Sequence, residues 1–341
     1  MTVDRRLSVA PMMDCTDRHD RYLLRLISKR TLLYTEMITA NALIHGDPAR
    51  LLAYDPFEHP LALQVGGSER DPMVASARMA EDHGFAEINI NVGCPSERVR
   101  NGAFGACLMA EPDTVAECVR AMKQAVAIPV TVKTRIGIDD GDPETQLSTF
   151  TRSVADAGVD ALIVHARKAW LRGLSPKENR DVPPLDYERV YRLKRDWPRL
   201  PIIINGGIHT LEEAAAHLRQ VDGCMMGRAP YRAPYLLAEA DVRLWSDAEV
   251  PRSRWQVVAD YLPYIRARQR EGVPLHRLTR HMSGLFQGCP GARAWRRALA
   301  DAREAEDIAR AAQRVREFDE AGQGMAPGDV QAQAGGGRPW A

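Results

Sequence analysis

The chain contains no CxxC pair, and none of its six cysteines stands at a metal-ligand spacing from a histidine. That absence argues against an iron–sulfur cluster or a structural zinc site, and it fits thiols kept reduced. No apolar run approaches ~20 residues, so the sequence predicts no membrane span. The opening MTVDRRLSVAPMMD lacks the apolar core of a signal peptide, and a cytoplasmic location is expected. There is also no net excess of either charge. The formal sum is +1, with 27% charged and 45% hydrophobic residues over 341 positions, which excludes a disordered chain and describes a folded globular one.

The charge is balanced in sum but not along the chain. Between 251 and 317 there are fourteen arginines, no lysine and seven acids, an excess of seven positive charges. The segment 318–341 sums to −2 and the first 250 residues to −4.

Eight short apolar runs, at 7–13, 32–38, 60–67, 87–95, 129–137, 161–167, 201–208 and 223–230, alternate with amphipathic stretches. Near-continuous apolar strands separated by helices imply parallel strands covered on the outside. Eight such units in ~230 residues fit a (β/α)8 TIM barrel better than an open sheet. Typical of the helices are 71–84, with Asp71 as cap, Pro72 at the first helical position and Gly84 ending it, and 210–221. The strand pattern then stops. The stretches 251–272, 275–288 and 290–318 read as helices, and 321–341, rich in Gly, Ala, Gln and Pro, as a disordered tail. The organisation expected is a catalytic barrel over 1–245, a basic helical domain over 250–320, and the tail.

In such a barrel the chemistry gathers at the C-terminal ends of the strands. Most of the runs end in residues a core does not want. The third ends with Gln64, the fourth with Asn89, Asn91 and Cys94, and the fifth with Lys133 and Arg135. The sixth ends with His165 and Arg167, the seventh with Asn205-Gly206-Gly207, and the eighth with Gly227-Arg228. Each alone has an ordinary reading: a solvated lysine, a core histidine, a turn glycine, a buried thiol. Their convergence on one rim favours a site. Glycine turns at the last two strands expose backbone N–H groups, and Arg228 adds a guanidinium, which together suit a phosphate. Lys133 and Gln64 could then meet the polar edge of a bound ring. This is the layout of a barrel that binds flavin mononucleotide.

Longer strings carry a family likeness. APMMDCTDRHDRY (10–22), LLYTEMITANALIHG (32–46), EININVGCPSERVRNGAFGACLM (87–109), PVTVKTRIGIDD (129–140), VHARKAWLRGLSPKENRDVPPLDYERVYRLK (164–194), INGGI (204–208) and LTRHMSGLFQGCPGARAWRR (278–297) resemble the tRNA-dihydrouridine synthases, in particular their A type. The resemblance implies an FMN-dependent reduction of the uridine C5=C6 bond at D-loop positions 20 and 20a of tRNA, with NADPH as electron donor. It places Pro11, Met12 and Met13 along the flavin through their backbone. Gln64, Lys133 and His165 would contact its ring, and Asn205, Gly206, Gly207, Gly227 and Arg228 its phosphate. Cys94 would be the general acid. Hydride delivered to C6 leaves carbanion character at C5, and a free thiol, which titrates near ~8.5, still carries a proton to give it.

Asn91 and Arg135 are candidates for substrate contact. Lys168, Lys177 and Arg180, from the long segment after the sixth strand, and the cluster Arg293, Arg296 and Arg297 would face tRNA. A base must leave its stack to enter a pocket, and the phosphates around it need cations. Gly93 is expected to permit the turn at Cys94 and Pro95 to stiffen it, while Cys107 reads as packing. Two positions depart from the family pattern: Cys15, where a tryptophan is expected, and Cys289. We expect a monomer with no metal and no membrane partner. The competing readings are a flavin barrel acting on a free pyrimidine or small enone, an RNA-binding or chaperone module on a degenerate barrel, and a Schiff-base aldolase using Lys133. The first leaves the basic helices unexplained, the second predicts losses at the rim that are not seen, and the third leaves Gln64 and Cys94 idle.

Overall fold

The computed structural model describes residues 3–97, 99 and 102–323. Nine strands form one parallel sheet: β1 (Leu7–Val9), β2 (Leu33–Tyr34), β3 (Ile38–Thr39), β4 (Leu61–Gly66), β5 (Glu87–Val92), β6 (Val130–Arg135), β7 (Ala161–His165), β8 (Ile202–Asn205) and β9 (Gly223–Met226). Their order is β1-β9-β8-β7-β6-β5-β4-β2, with β3 also on β4. The ring closes where Val9 N–H donates to Leu32 O at 2.9 Å and Leu32 N–H to Leu7 O at 3.0 Å. The eight expected runs are therefore the eight staves of a (β/α)8 barrel. The second stave is split into β2 and β3, because at the break the Thr35 hydroxyl, not its carbonyl, accepts from Gln64 N–H at 3.1 Å.

Period-two alternation sorts the side chains. Ala10, Leu32, Tyr34, Ala62, Ala161, Ile163, Ile203 and Met225 form a small apolar cluster of their own, the plug inside the barrel. Outward residues such as Leu63, Ile90, Val132 and Val164 join the larger core shared with the helices.

The helix expected at 71–84 spans Arg70–Asp82. Asp71 lies inside its first turn rather than capping it, and Glu69 at the cap makes no side-chain cap bond. Gly84 ends it as expected, with φ +81°. The helix Leu211–His217 opens on a Thr210/Glu213 capping box.

Beyond the barrel lie the helices Arg254–Arg270, Leu275–Thr279, Ala292–Asp301 and Ala305–Gln323. The single helix expected over 290–318 is broken at 302–304. There the Asp307 carboxylate accepts from the N–H of Arg303 at 2.8 Å and of Glu304 at 3.1 Å, starting a new helix that folds back on the last one. The first two of these helices dock on the first barrel helix, Arg18–Ile27. Tyr22 stacks on Tyr264 with centroids 3.9 Å apart, and Tyr261 donates to His19 O at 3.0 Å. Trp295 is fully buried, its indole N–H donating to Met282 O at 2.8 Å. Of the tail expected at 321–341, residues 321–323 continue the last helix and the rest lie outside the described residues. Among the described residues no helix is long and apolar enough to cross a membrane.

Candidate active site at the barrel mouth

The register of β4, β5 and β6 sets Gln64 opposite Asn89 and Asn91 opposite Lys133. These inward polar residues bond to one another. Gln64 Nε2 donates to Asn89 Oδ1 at 2.8 Å, and Asn91 Nδ2 donates to Gln64 Oε1 at 2.8 Å. Asn91 Oδ1 accepts from the N–H of Gly93 at 3.1 Å and of Cys94 at 3.0 Å. The loop bearing Cys94 is thus held from below by a side chain of the preceding strand.

It is also held from outside. Ala106 N–H donates to Cys94 O at 2.9 Å. This approach requires Gly105, at φ +78°, because an added Cβ there would come within 2.6 Å of the same carbonyl. The glycine that shapes the turn is therefore Gly105, not the expected Gly93, where a Cβ would meet only ordinary contacts at 3.6 Å. Cys94 is half-buried, with Sγ 3.5 Å from Ser96 Oγ.

Arg135 is buried, 3% exposed, and its guanidinium donates to Gly93 O at 3.1 Å, Lys168 O at 3.1 Å and Asn179 O at 2.9 Å. It clamps the Cys94 loop to the segment after β7. Burial lowers its pKa to about 10, and the three carbonyls take three of the five N–H donors of the guanidinium.

Lys133 Nζ donates to Asn205 Oδ1 at 3.0 Å, and Asn205 Nδ2 donates to Met225 O at 2.8 Å. Asn205 therefore turns into the barrel to orient Lys133, apart from the glycine turn that follows it. Burial, reinforced by the Arg135 charge, pushes the Lys133 ammonium down to about 7. Burial and the cations Arg135, Lys133, Arg167 and Arg228 push His165 well below its ordinary value, so the imidazole is neutral at physiological pH. The turn after β1, bearing Pro11, Met12 and Met13, is pinned by Thr16, whose Oγ1 accepts Met12 N–H at 3.0 Å, and Met13 is exposed.

Gly206 and Gly207 have φ of +115° and +67°. Cβ atoms there would strike His165 and Leu185, so both glycines are needed for the close approach. Gly227 differs, since a Cβ there would meet nothing within 4 Å and the turn opens on free space. Beside it Arg228 pairs with Asp181 at 2.7 and 3.3 Å, and Arg167 donates to Asp181 O and Pro183 O. The Arg228–Asp181 side chains are 35% and 50% exposed, and such a pair contributes only ~0–1 kcal/mol. A phosphate, which accepts bidentate charge-assisted bonds, can take Asp181's place at little cost. The mouth thus fits a polar ring over the amides and Lys133, with a phosphate-bearing arm at the last two turns.

Lys168 lies on the rim with Nζ donating to Gly141 O at 2.8 Å. Lys177 and Arg180 are exposed and make no salt bridge among the described residues. Arg293, Arg296 and Arg297 are likewise exposed and free among the described residues, on the solvent side of the helix that buries Trp295. Sequence reading missed the partners Thr131, Asn179, Asp181 and Glu87. All four lie within quoted strings, but their partners come from distant segments of the chain.

Three comparisons bear on this arrangement. The family model described as dihydrouridine synthase matches residues 8–321. The chain is 57% identical over 299 residues to the tRNA-dihydrouridine(20/20a) synthase of Shewanella oneidensis, covering 88% of this chain and 89% of that protein. It is 56% identical over 297 residues to the protein of the same name in Escherichia coli K12, covering 87% and 86%. A solved structure described as "Crystal structure of TcOYE with pHBA" superposes with a TM-score of 0.51 over 69% of this chain and 88% of that one, at 12% identity, a likeness of fold alone.

Proposed function

The chain belongs to the dihydrouridine synthase family, and we propose that it is a flavin-dependent tRNA-dihydrouridine synthase that reduces the uridines at positions 20 and 20a of the D-loop, with NADPH as donor, in the cytoplasm. The observation that carries this reading is the mouth itself: a ladder of buried amides beneath a tethered cysteine, beside a lysine poised near neutrality and two glycine turns.

Flavin mononucleotide, when bound there, would supply the hydride for C6 of the uracil ring. Gln64, Lys133 and His165 would hold its ring, with the backbone of Pro11, Met12 and Met13 alongside. Gly206, Gly207, Gly227 and Arg228 would receive its phosphate, while Asn205 holds Lys133 in line through the 3.0 Å bond. Cys94 Sγ gives a proton to C5, on the face away from the hydride. Asn91 and Arg135 fix the height and direction of that thiol through the loop backbone. The cations Lys168, Lys177, Arg180, Arg293, Arg296 and Arg297 neutralise phosphates of a tRNA whose target base has been turned out of its stack. A small-enone reductase would give these cations no work.

The purified protein, yellow with bound flavin, should convert unmodified tRNA transcript to a product carrying two extra hydrogens per reduced uridine when NADPH is supplied. Turnover of free uracil or uridine at the rate of tRNA would contradict the proposal.

A further inference from the structure

At the closed end of the barrel, below the site, Glu87 is fully buried at the first position of β5. Its Oε2 accepts from Arg5 Nε at 2.7 Å, and its Oε1 accepts from the hydroxyls of Tyr34 at 2.6 Å and Thr131 at 2.7 Å. A carboxylate held by a guanidinium offers only acceptors. Thr131 therefore spends its one hydrogen on Glu87; its other acceptor in reach, Ile88 O, is farther at 3.4 Å.

The consequence runs upward. With its hydrogen committed, Thr131 Oγ1 can only accept, and Asn89 Nδ2 donates to it at 2.9 Å. Asn89 must then present Oδ1 to Gln64, and Gln64 must present Oε1 to Asn91. Asn91 Oδ1 is left facing the N–H groups of Gly93 and Cys94, which are donors that cannot turn round. Five bonds from Cys94 N–H to Glu87 thus run in one direction, with an obligate acceptor at one end and obligate donors at the other.

We propose that Glu87 is a positioning residue: it fixes the orientation of the Gln64 and Asn91 amides and, through them, the backbone of Cys94 at the opposite end of the barrel. The inference rests on the reading of Cys94 as proton donor only for its effect on turnover. In Glu87→Gln the new amide must keep its oxygen toward Arg5, which turns its nitrogen to Thr131. Thr131 then turns its hydrogen to Asn89, 2.9 Å away, rather than to Ile88 O at 3.4 Å, and the reversal passes along the column until an amide NH2 faces the Gly93 and Cys94 N–H groups. Donors set against donors in a buried site cost about tenfold in the geometry they hold.

The test is backbone hydrogen exchange at Gly93 and Cys94 in the full-length protein, read by mass spectrometry, alongside steady-state kinetics on unmodified tRNA transcript. Glu87→Gln is expected to speed exchange at these two amides about tenfold and to lower kcat by a similar factor, with KM for tRNA unchanged. Thr131→Val keeps Arg5, Glu87 and Tyr34 together and removes only the linking hydroxyl. It should reproduce both effects, and the double variant should be no worse than the worse single one, because both cut the same chain. Wild-type exchange at Gly93 and Cys94 in folded Thr131→Val, or additive losses in the double variant, would overturn the proposal. The exchange measurement needs no catalysis, so it judges the column whether or not Cys94 is the acid.

Discussion

Inside the barrel, Gln64, Asn89, Asn91, Lys133 and Asn205 each have a partner within 3.0 Å. On the helix Ala292–Asp301, Arg293, Arg296 and Arg297 have none among the described residues, although Trp295 between them is locked to Met282. In the first region the polar groups satisfy one another, and their value is geometric. In the second they are solvated and their value is electrostatic, so it depends on salt. Substitutions in the barrel should therefore act on kcat and stability, and those on the helices on tRNA affinity.

The contrast breaks first at the thiol. Cys94→Ala should lower dihydrouridine formation by about 10²–10⁴-fold while flavin content and tRNA affinity stay at wild-type levels, measured by nucleoside mass spectrometry and filter binding. Arg135→Met comes next. It strands the carbonyls of Gly93, Lys168 and Asn179, and should cost about 3 kcal/mol of unfolding free energy in a urea titration, with a matching fall in kcat.

The outer region gives a smaller effect of a different kind. Replacing Arg293, Arg296 and Arg297 together by glutamine should weaken tRNA binding about tenfold at low salt and flatten the dependence of log K on log salt by about two. A kcat change with unaltered salt dependence would erase the distinction between the regions. The last effect is a slope. Lys133 titrates at about 7 when folded and near ~10.4 when unfolded, so between these values the unfolded chain binds the extra proton. The flavin-free protein should thus lose stability as pH falls from 10 to 7, and Lys133→Met should remove that component of the denaturation profile.

The eight staves were legible because buried parallel strands announce themselves as apolar runs, and their ends because Gln64, Asn91, Lys133 and Asn205 are polar where apolar residues are expected. Their partners were not legible. That Asn205 bonds to Lys133, and that Arg135 clamps carbonyls, depends on a cross-strand register that no local pattern encodes. Glu87 escaped notice because it opens its strand, where a charge reads as solvated. The role of Gly105 was hidden for a similar reason: its partner, Cys94 O, lies eleven positions earlier. The break at 302–304 was missed because Asp307 reaches back to two amides that helical periodicity alone would have continued through.

The central claim is that this barrel makes dihydrouridine at two defined positions of tRNA and does so through Cys94. Mapping dihydrouridine by mass spectrometry in tRNA from a strain lacking the gene, complemented with the wild-type or the Cys94→Ala protein, tests it most directly. The account predicts loss at 20 and 20a, restored by the wild-type protein and not by the variant. Dihydrouridine persisting at both positions without the gene, or restored by Cys94→Ala, would contradict it.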